Sequence, residues 1–410
     1  MNIWLVNPFD PLPGDPEQEG RYATLATMLA QRGHAIAWWT SSFSHRFKRP
    51  VDQAALTARC RPRGIESHFL SAPPYQKNVS VARVWNHYAL MKAFHRAAAR
   101  SRSRPDVVIA SSPPPGLAMT AVTTAHTLGA RAILDVQDLW PETFTRLLPG
   151  PLRPLGATAL WPMHWAAQKA ARRADALVGV ADAYVQRALE LSHRADQRTA
   201  MIPLGIDLAV FDAAASRGKQ PELTKPPGDI WLAYTGSLSR SYDPLTILQA
   251  AEYFRNNPTG RRLRFFITGR GELLSAAQRQ VESRGLNNVT LSGFLDFDAW
   301  AYLLSQCDIA FNASFPDAMI FLPNKIFYYL AAGAAVLNTI PGQCSRLVKD
   351  GACGADYAAG DAAGCVGAIR RLLEMPPRLA DMRRAARRLA ERVYDRRILY
   401  QPYVELIESL

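Results

Sequence analysis

Cysteine is scarce in this sequence, with five in 410 residues. Neither a CxxC pair nor a histidine at metal-ligand spacing accompanies Cys60, Cys307, Cys344, Cys353 or Cys365. Disulfide frameworks and zinc sites depend on such spacings, so neither is predicted. We expect reduced thiols in a reducing compartment.

A long apolar run is also missing. The least polar stretch, residues 154–167, is interrupted by Pro162 and His164 and is shorter than the ~20 apolar residues of a membrane-spanning helix. The first residues lack the basic and then apolar pattern of a secretory signal. We therefore expect a cytoplasmic protein.

Acidic residues are fewer than basic ones, at 35 against 48, which gives a net charge of +13. This excess attracts polyanions such as nucleic acid, anionic lipid or phosphorylated small molecules. The basic residues of the first half follow no zinc-finger, basic-zipper or RNP pattern, so nucleic acid is not predicted as a partner.

Several nucleotide and hydrolase motifs are absent. The sequence contains no GxxxxGK[ST] phosphate loop and no GxSxG elbow. Gly269-Arg270-Gly271 begins like a dinucleotide fingerprint, but Leu274 stands where the third glycine belongs. NAD binding is therefore not predicted either.

What the sequence does contain is an alternation of strand and helix patterns. In the first half, strands are predicted at 2–6, 35–40, 107–110, 132–135 and 176–180, with helices at 21–31 and 117–128. In the second half, strands are predicted at 230–234, 263–268, 289–292, 309–312 and 335–338, with helices at 244–254, 273–284, 298–306 and 323–332. Such alternation is typical of parallel, doubly wound α/β sheets.

The alternation breaks in a small, polar stretch rich in proline and glycine near residues 203–229. We predict a first domain at 1–205, a linker at 206–228 and a second domain at 229–381. The remaining residues, 382–410, are predicted to be helical and to cross back to the first domain.

Three loops that follow predicted strands are candidates for binding an anionic ligand. They contain Gly14 in the first half and, in the second, Gly236, Ser237 and Arg240, then Gly269 and Arg270. Backbone N–H groups and helix N-termini bind phosphates at such places in doubly wound sheets. Each loop is equally consistent with a tight strand-to-helix connection that binds nothing.

The most informative segment is 321–333, FLPNKIFYYLAAG. Proline near the first turn and glycine after the last define a short helix. Its N-terminus carries Pro323, Asn324 and Lys325, and the lysine is suited to meet a diphosphate with both its own charge and the helix dipole. The alternative is a lysine on a solvated helix face.

Two features of the first half leave alternatives open. Asp138 follows a predicted strand, where a carboxylate can enter a ligand site, but aspartate also caps turns such as the one before Trp140-Pro141. Residues 147–173 combine tryptophans and leucines with basic residues. This pattern fits either an interfacial membrane helix or burial against the first domain.

Seven segments also follow the order of one known family: 32–34 (RGH), 138–142 (DLWPE), 203–207 (PLGID), 234–236 (YTG), 267–269 (ITG), 289–294 and 323–333. By these segments the sequence resembles the family 4 glycosyltransferases, retaining enzymes of the GT-B fold. Within that family it is most similar to the bacterial branch of fucosamine-transferase-like enzymes of surface-polysaccharide assembly.

The resemblance implies an α/β GT-B protein with two Rossmann-like domains facing a cleft. The second domain would bind a nucleoside-diphosphate sugar, and the first a glycan or lipid-linked acceptor. If residues 147–173 form an interfacial helix, the basic first half would also make peripheral contact with the anionic inner face of the plasma membrane. The enzyme would transfer a hexose or aminosugar with retention and need no metal or other cofactor. The implied catalytic residues are Asp138, Arg240 and Lys325, and the implied donor-binding residues are Gly14, Gly236, Ser237, Arg240, Gly269, Arg270, Pro323, Asn324, Lys325 and Tyr328.

The sequence departs from the family pattern at five positions, one of which is Gln137, where the family often has a histidine before Asp138. An arginine and a lysine that commonly bind the diphosphate are replaced by Ser237 and Tyr242, for which Arg240 is the candidate substitute. The family's paired glutamates are replaced by Ile320 and Tyr328. Two alternatives follow: a glycosyltransferase-like binding or partner protein without catalysis, or a GT-B-like sugar-nucleotide epimerase.

Overall fold

The computed structural model describes residues 1–13, 20–146 and 150–410. The chain forms two compact units. The first unit comprises Met1–Pro203 together with Leu399–Leu410, and the second comprises Leu204–Ile398.

A parallel sheet forms the centre of the first unit, with strand order β5-β2-β1-β6-β7-β8-β9. A short antiparallel hairpin of β3 and β4 follows β2. The strands of this unit are β1 (Asn2–Val6), β2 (Ala35–Ser41), β3 (Phe43–Ser44), β4 (Arg49–Pro50), β5 (Ile65–Leu70), β6 (Val107–Ser112), β7 (Arg131–Val136), β8 (Ala176–Gly179) and β9 (Arg198–Met201).

The helices of the first unit connect these strands and cover the sheet. In the first 200 residues they are α1 (Arg21–Gln31), α2 (Gln53–Cys60), α3 (Val81–Arg100), α4 (Pro115–Thr127), α5 (Glu142–Arg146), α6 (Arg153–Ala159), α7 (Trp161–Arg173) and α8 (Asp182–Ser192).

The second unit contains a parallel sheet of order β12-β11-β10-β13-β14-β15. Its strands are β10 (Ile230–Thr235), β11 (Leu263–Thr268), β12 (Val289–Gly293), β13 (Ile309–Asn312), β14 (Ala335–Asn338) and β15 (Gly354–Asp356). Its helices are α9 (Leu208–Arg217), α10 (Pro244–Asn256), α11 (Leu274–Ser283), α12 (Phe297–Gln306), α13 (Lys325–Ala331), α14 (Gln343–Asp350), α15 (Ala362–Glu374), α16 (Pro376–Leu389) and α17 (Arg396–Leu399).

The central strands are buried on both faces. All six residues of β6 and all six of β10 are buried. A parallel strand with helices on both sides has no polar face, so its sequence is a nearly continuous run of apolar residues. The prediction of two doubly wound α/β domains is confirmed for this reason.

Residues 206–228, which the sequence suggested as a linker, contain the helix α9. Asp207 caps it by accepting a hydrogen bond from the Val210 amide at 3.0 Å. Phe211 and Ala214 are buried, and the helix belongs to the second unit. The composition of the flanking residues obscured this short amphipathic helix.

The C-terminal helix α18 (Gln401–Glu408) belongs to the first unit, and Tyr400, Tyr403 and Val404 lie in that unit's core. Both tyrosine rings lie 5.2 Å from the guanidinium of Arg21. Arg21 forms a buried ion pair with Asp135 on β7 at 3.1 Å. The last residues of the chain therefore complete the core around this ion pair.

Candidate functional site

The loops after β10 and β11 pack against each other through their backbones. A Cβ on Gly269 would lie 1.8 Å from the Gly236 carbonyl oxygen, and one on Gly271 would lie 2.3 Å from the Leu238 carbonyl oxygen. Gly269 also has φ +140. These glycines are thus required by the close approach of two loops at the carboxyl edge of the sheet, where doubly wound units bind ligands.

Further hydrogen bonds fix the shape of the β10 loop. The Tyr234 hydroxyl donates to the Ser237 carbonyl at 2.7 Å. The Leu238 amide donates to the Arg270 carbonyl at 2.9 Å. Gly236 and Ser237 are nevertheless exposed, so the loop presents a rigid, accessible surface.

The two arginines of these loops point into solvent. The Arg240 side chain is 86% exposed, and its Nε lies 3.8 Å from a Glu272 carboxylate oxygen. The Arg270 guanidinium lies 4.9 Å from the ring centroid of Phe294. The ion pair of Arg240 with Glu272 is long and exposed, and Arg270 is exposed as well, so both cations are accessible to an anionic ligand.

Lys325, in contrast, has a buried ammonium group. Its Nζ lies 4.2 Å from the ring centroid of Tyr234 and 3.9 Å from that of Tyr242. A Cβ on Gly236 would lie 3.4 Å from this nitrogen. The lysine therefore reaches from the first turn of α13 to the β10 loop.

The electrostatic environment of Lys325 is unusual for a lysine. Among the described residues, no acceptor is hydrogen-bonded to its Nζ, and the Asn324 Oδ1 beside it in sequence is also buried without a partner. Burial lowers the pKa of Lys325 to about 7. A buried cation without a counter-ion is costly, and an anion bound at the β10 loop would supply the missing charge.

Tyr328 lies in different surroundings. Its side chain is buried in an aromatic cluster, with the Trp300 ring centroid at 4.9 Å and that of Phe211 at 6.2 Å. The next residue, Tyr329, faces the sheet instead and accepts a hydrogen bond from the Thr235 amide at 3.1 Å. The structure thus brings Lys325 next to Gly236 and joins Tyr329 to the end of β10. Tyr328, in contrast, packs in the aromatic cluster.

Sequence reasoning missed a buried polar network at the ends of β13 and β14. The Asn312 amide donates to the Asn338 side-chain oxygen at 2.8 Å. The Ser314 amide donates to the Thr339 hydroxyl at 2.8 Å, and the Ser314 hydroxyl donates to the Ser241 carbonyl at 2.8 Å. This network fixes the β13 loop against the β10 loop. The sequence signal for this network is that both β13 and β14 end in an asparagine, Asn312 and Asn338.

In the first unit, Asp138 is largely occupied by its own neighbours. One carboxylate oxygen accepts from the Leu139 amide at 2.8 Å, and the other accepts from the Trp140 indole at 3.0 Å. Burial raises the pKa of Asp138. The structure thus shows the turn-capping contacts, and a catalytic role for Asp138 stays a prediction.

Gly14 lies outside the described residues. Within the parts of the chain that the structure describes, no group of three His, Cys, Asp or Glu side chains is arranged to hold a metal ion. The same residues contain no helix with the length and apolar character needed to cross a bilayer.

The chain consists of two doubly wound units, and in such units ligands bind to loops at the carboxyl edge of the parallel sheet. The GT-B fold belongs to this class of α/β proteins. Two family models match different halves of the chain. Residues 19–210 match Glycosyltransferase Family 4, and residues 230–375 match Glycosyl transferases group 1. These two matches support a glycosyltransferase similar to family 4.

Solved structures confirm the GT-B fold over the whole chain. HepE of Anabaena, in complex with UDP, is 15% identical with a TM-score of 0.71, and the match covers 100% of both chains. Sucrose-phosphate synthase of Thermosynechococcus elongatus is 15% identical with a TM-score of 0.72, covering 100% of this chain and 98% of that one. WaaG, a glycosyltransferase of lipopolysaccharide biosynthesis, is 15% identical with a TM-score of 0.68 and 99% coverage of each chain. No curated protein sequence matches the chain.

Proposed function

We propose that this glycosyltransferase uses a nucleoside-diphosphate sugar and transfers its sugar, with retention, to a glycan or lipid-linked acceptor of cell-surface glycoconjugate synthesis. The observation that carries the donor assignment is the buried, uncompensated ammonium of Lys325 beside Gly236. Structural neighbours of this chain bind UDP and UDP-glucose, which supports the same class of donor.

In the proposed reaction the bond between the anomeric carbon and the diphosphate breaks, and the acceptor oxygen bonds to that carbon as its hydroxyl proton is released. Negative charge develops on the leaving diphosphate. Lys325, and Arg240 from the exposed part of the β10 loop, would stabilise that charge electrostatically. We propose that this role needs no metal ion.

The position of Lys325 also bears on the family's missing lysine. The family pattern has a lysine where this chain has Tyr242, and the Lys325 ammonium lies 3.9 Å from the centroid of that ring. A positive charge is thus supplied near the same place from a different element. We propose that this substitution maintains diphosphate binding.

Calorimetric titration with UDP, GDP and dTDP sugars tests the donor assignment. Lys325→Ala and Arg240→Ala should each weaken binding of the preferred nucleotide by about 10- to 100-fold, as expected for losing a hydrogen bond to a charged group. Lys219→Ala, which removes an exposed charge from the same unit, is the matched control and should leave binding unchanged. Unaltered affinity in both site variants would refute the assignment.

A binding or partner protein without catalysis is the second candidate. Ile320 and Tyr328 replace the family's two glutamates, and Tyr328 is buried among aromatic rings, so neither position offers a carboxylate to a donor. Product analysis of any nucleotide sugar that binds separates the candidates. Transfer or donor hydrolysis supports the enzyme, and tight binding without turnover supports the partner protein.

Peripheral membrane contact is proposed for the exposed apolar surface of the first unit. Val81 and Trp85 on α3 are 86% and 59% exposed. Leu155 on α6 and Trp161 at the start of α7 are 69% and 61% exposed. The Lys169 Nζ lies 4.6 Å from the ring of Trp165 on α7. Tryptophans and aliphatic side chains beside lysines suit an anionic lipid interface.

A further inference from the structure

A cluster of basic side chains lies at the carboxyl edge of the first unit's sheet. His45 and Lys48 come from the hairpin that follows β2, and Arg83 and His87 come from the first turns of α3, which follows β5. The Phe9 ring, from the loop after β1, lies 5.1 Å from His45 and 5.8 Å from His87. We refer to His45, Lys48, Arg83 and His87 as the basic cluster.

Local structure holds Arg83 firmly in place. Ser80 caps α3 by accepting a hydrogen bond from the Arg83 amide at 3.2 Å. The Arg83 guanidinium is buried and donates to the Asn78 carbonyl at 2.7 Å. Its Nε donates to the His87 Nε2 at 3.4 Å, one helical turn further on. The charge therefore has a fixed position.

Lys48 lies on the other side of the same loop. Its Nζ donates to the Asn78 side-chain oxygen at 2.7 Å and to the His45 Nδ1 at 3.3 Å. It also lies 4.6 Å from the ring of Tyr75, whose hydroxyl contacts the same imidazole nitrogen. Asn78 thus binds Lys48 through its side chain and Arg83 through its backbone.

The partners of these two cations are neutral. Lysine and arginine only donate, so the His45 Nδ1 and the His87 Nε2 act as acceptors, as in uncharged imidazoles. The other acceptors include the amide and carbonyl oxygens of Asn78 and, for Arg83, the hydroxyl of Tyr75. In the part of the chain that the structure describes, neither cation forms a salt bridge with a carboxylate, and Asp138, which acts on Arg83 from a distance, is held by its own turn.

The ionisation of the cluster agrees with this lack of counter-charge. Burial, and then the charge of Arg83, lower the pKa of Lys48 to about 8, that of His45 to about 4 and that of His87 to about 3. Burial also lowers the pKa of Arg83. Cations held by neutral groups in this way are pre-organised to bind an anion.

We propose that the basic cluster binds a phosphoryl group carried by the acceptor, an inference that rests on the proposed glycosyl transfer. Arginine offers a planar fork and lysine a point charge, a combination that suits phosphate oxygens. Four segments meet here at the carboxyl edge of a doubly wound sheet, which is where such folds bind ligands. They are the loop after β1, the hairpin after β2, the loop with Tyr75 and Asn78, and the start of α3. The acceptor is accordingly a sugar phosphate or a lipid-linked phosphate or diphosphate.

Titration of the full-length protein with inorganic phosphate, in the presence of saturating UDP, tests the site. The UDP occupies the proposed donor loops and so keeps inorganic phosphate from binding there. As a second control the titration is repeated with the Lys325→Ala variant, which lacks the proposed donor cation. Lys48→Gln and Arg83→Gln should each weaken phosphate binding roughly tenfold or more. Arg96→Gln removes an exposed charge about three and a half turns beyond Arg83 along α3 and should have no effect.

Thermal unfolding identifies a variant that fails to fold. If the buried Arg83 cannot be replaced, Lys48→Gln still tests the proposal because Lys48 is only half-buried on the hairpin. Equal phosphate affinity in the wild type, Lys48→Gln and Arg96→Gln would overturn the site. UDP affinity should be unchanged in Lys48→Gln, Arg83→Gln and Arg96→Gln, so a failure of the donor assignment is recognised separately.

Competition distinguishes the two sources of phosphate. A soluble hexose phosphate and phosphatidylcholine vesicles containing a polyprenyl phosphate are each tested for displacement of inorganic phosphate. Displacement by either one supports the proposal and identifies the acceptor class. Binding of phosphate that neither compound displaces would overturn the role in acceptor recognition.

Discussion

At the scale of a single residue, the donor-binding role proposed for Lys325 conflicts with the stability of the free protein. In the free protein its ammonium is buried against the rings of Tyr234 and Tyr242, and the described residues provide it with no anion. Such residues are retained where a ligand supplies the missing charge, at a cost to the stability of the free protein.

Lys325→Met should therefore stabilise the free protein while weakening donor binding. The wild-type pKa is lowered from 10.5 to about 7 on folding, so the buried charge destabilises the fold fully below pH 7. Between pH 7 and 10.5 folding releases this proton, and the free-energy cost of releasing it falls as the pH rises, so the destabilisation decreases toward pH 10.5. Melting temperatures of both proteins from pH 6 to pH 10 should show the largest gain for the variant at the acidic end.

Two measurements complete this test. A fixed concentration of UDP should raise the melting temperature of the wild type more than that of Lys325→Met, because stabilisation by a ligand depends on its affinity for the folded state. A lower melting temperature for Lys325→Met at pH 7 would contradict the prediction and indicate that the lysine has a stabilising partner in the free protein.

At the scale of a single element, α3 has two different faces. Its inner face carries Arg83 and His87 of the basic cluster, while Val81, Val84, Trp85 and Tyr88 form an exposed stripe at helical spacing. The Lys92 Nζ lies 4.8 Å from the Tyr88 ring at the end of this stripe. One helix thus combines a polar site with an apolar surface suited to lipid.

Val81→Ser combined with Trp85→Ser should weaken binding to phosphatidylglycerol vesicles roughly tenfold or more, since burying each such side chain contributes about 1.5–3 kcal/mol. Co-sedimentation with vesicles measures the effect. Ile398→Ser, which removes an exposed apolar side chain from the second unit, is the control. Equal sedimentation of the wild type and the α3 variant would exclude this surface, and a wild-type dimer lost in the variant would identify a protein interface instead.

At the scale of the whole molecule, the first unit contains residues from both ends of the chain. Tyr400, Tyr403, Val404 and Ile407 are fully buried in it, next to the Arg21–Asp135 ion pair. Deleting residues 399–410 removes several large core side chains. Truncating one buried aromatic side chain lowers the free energy of unfolding by about 3–5 kcal/mol. The total approaches the roughly 5–15 kcal/mol by which a domain is stable.

The deletion should therefore unfold the first unit and leave the second unit folded. Limited proteolysis with mass spectrometry should show rapid cleavage within residues 1–203 and protection within 204–398. Glu408→Gln, which changes a surface residue of the same helix, should leave both units protected. Protection of the first unit after the deletion would show that its core does not depend on these residues.

The sequence by itself determined the fold of this protein and the position of its loops. Strands such as β1 and β10 are continuous apolar runs that alternate with helical patterns. Such runs indicate strands that are buried on both faces, and the pattern can be recognised from neighbouring residues alone. Gly236, Gly269 and Lys325 were also found as candidates, because they stand at strand ends and at a helix start, where the local pattern is readable.

Only the tertiary structure decided which of these residues meet and in what environment. The burial of Lys325 depends on two tyrosines about eighty to ninety positions earlier in the chain, and the basic cluster joins residues from separate loops. Tyr328 and Tyr329 are neighbours in sequence, yet one packs in an aromatic cluster and the other bonds to β10. Periodicity fixes which elements form, whereas the desolvation and pairing of a charge depend on side chains that only folding brings within a few ångströms.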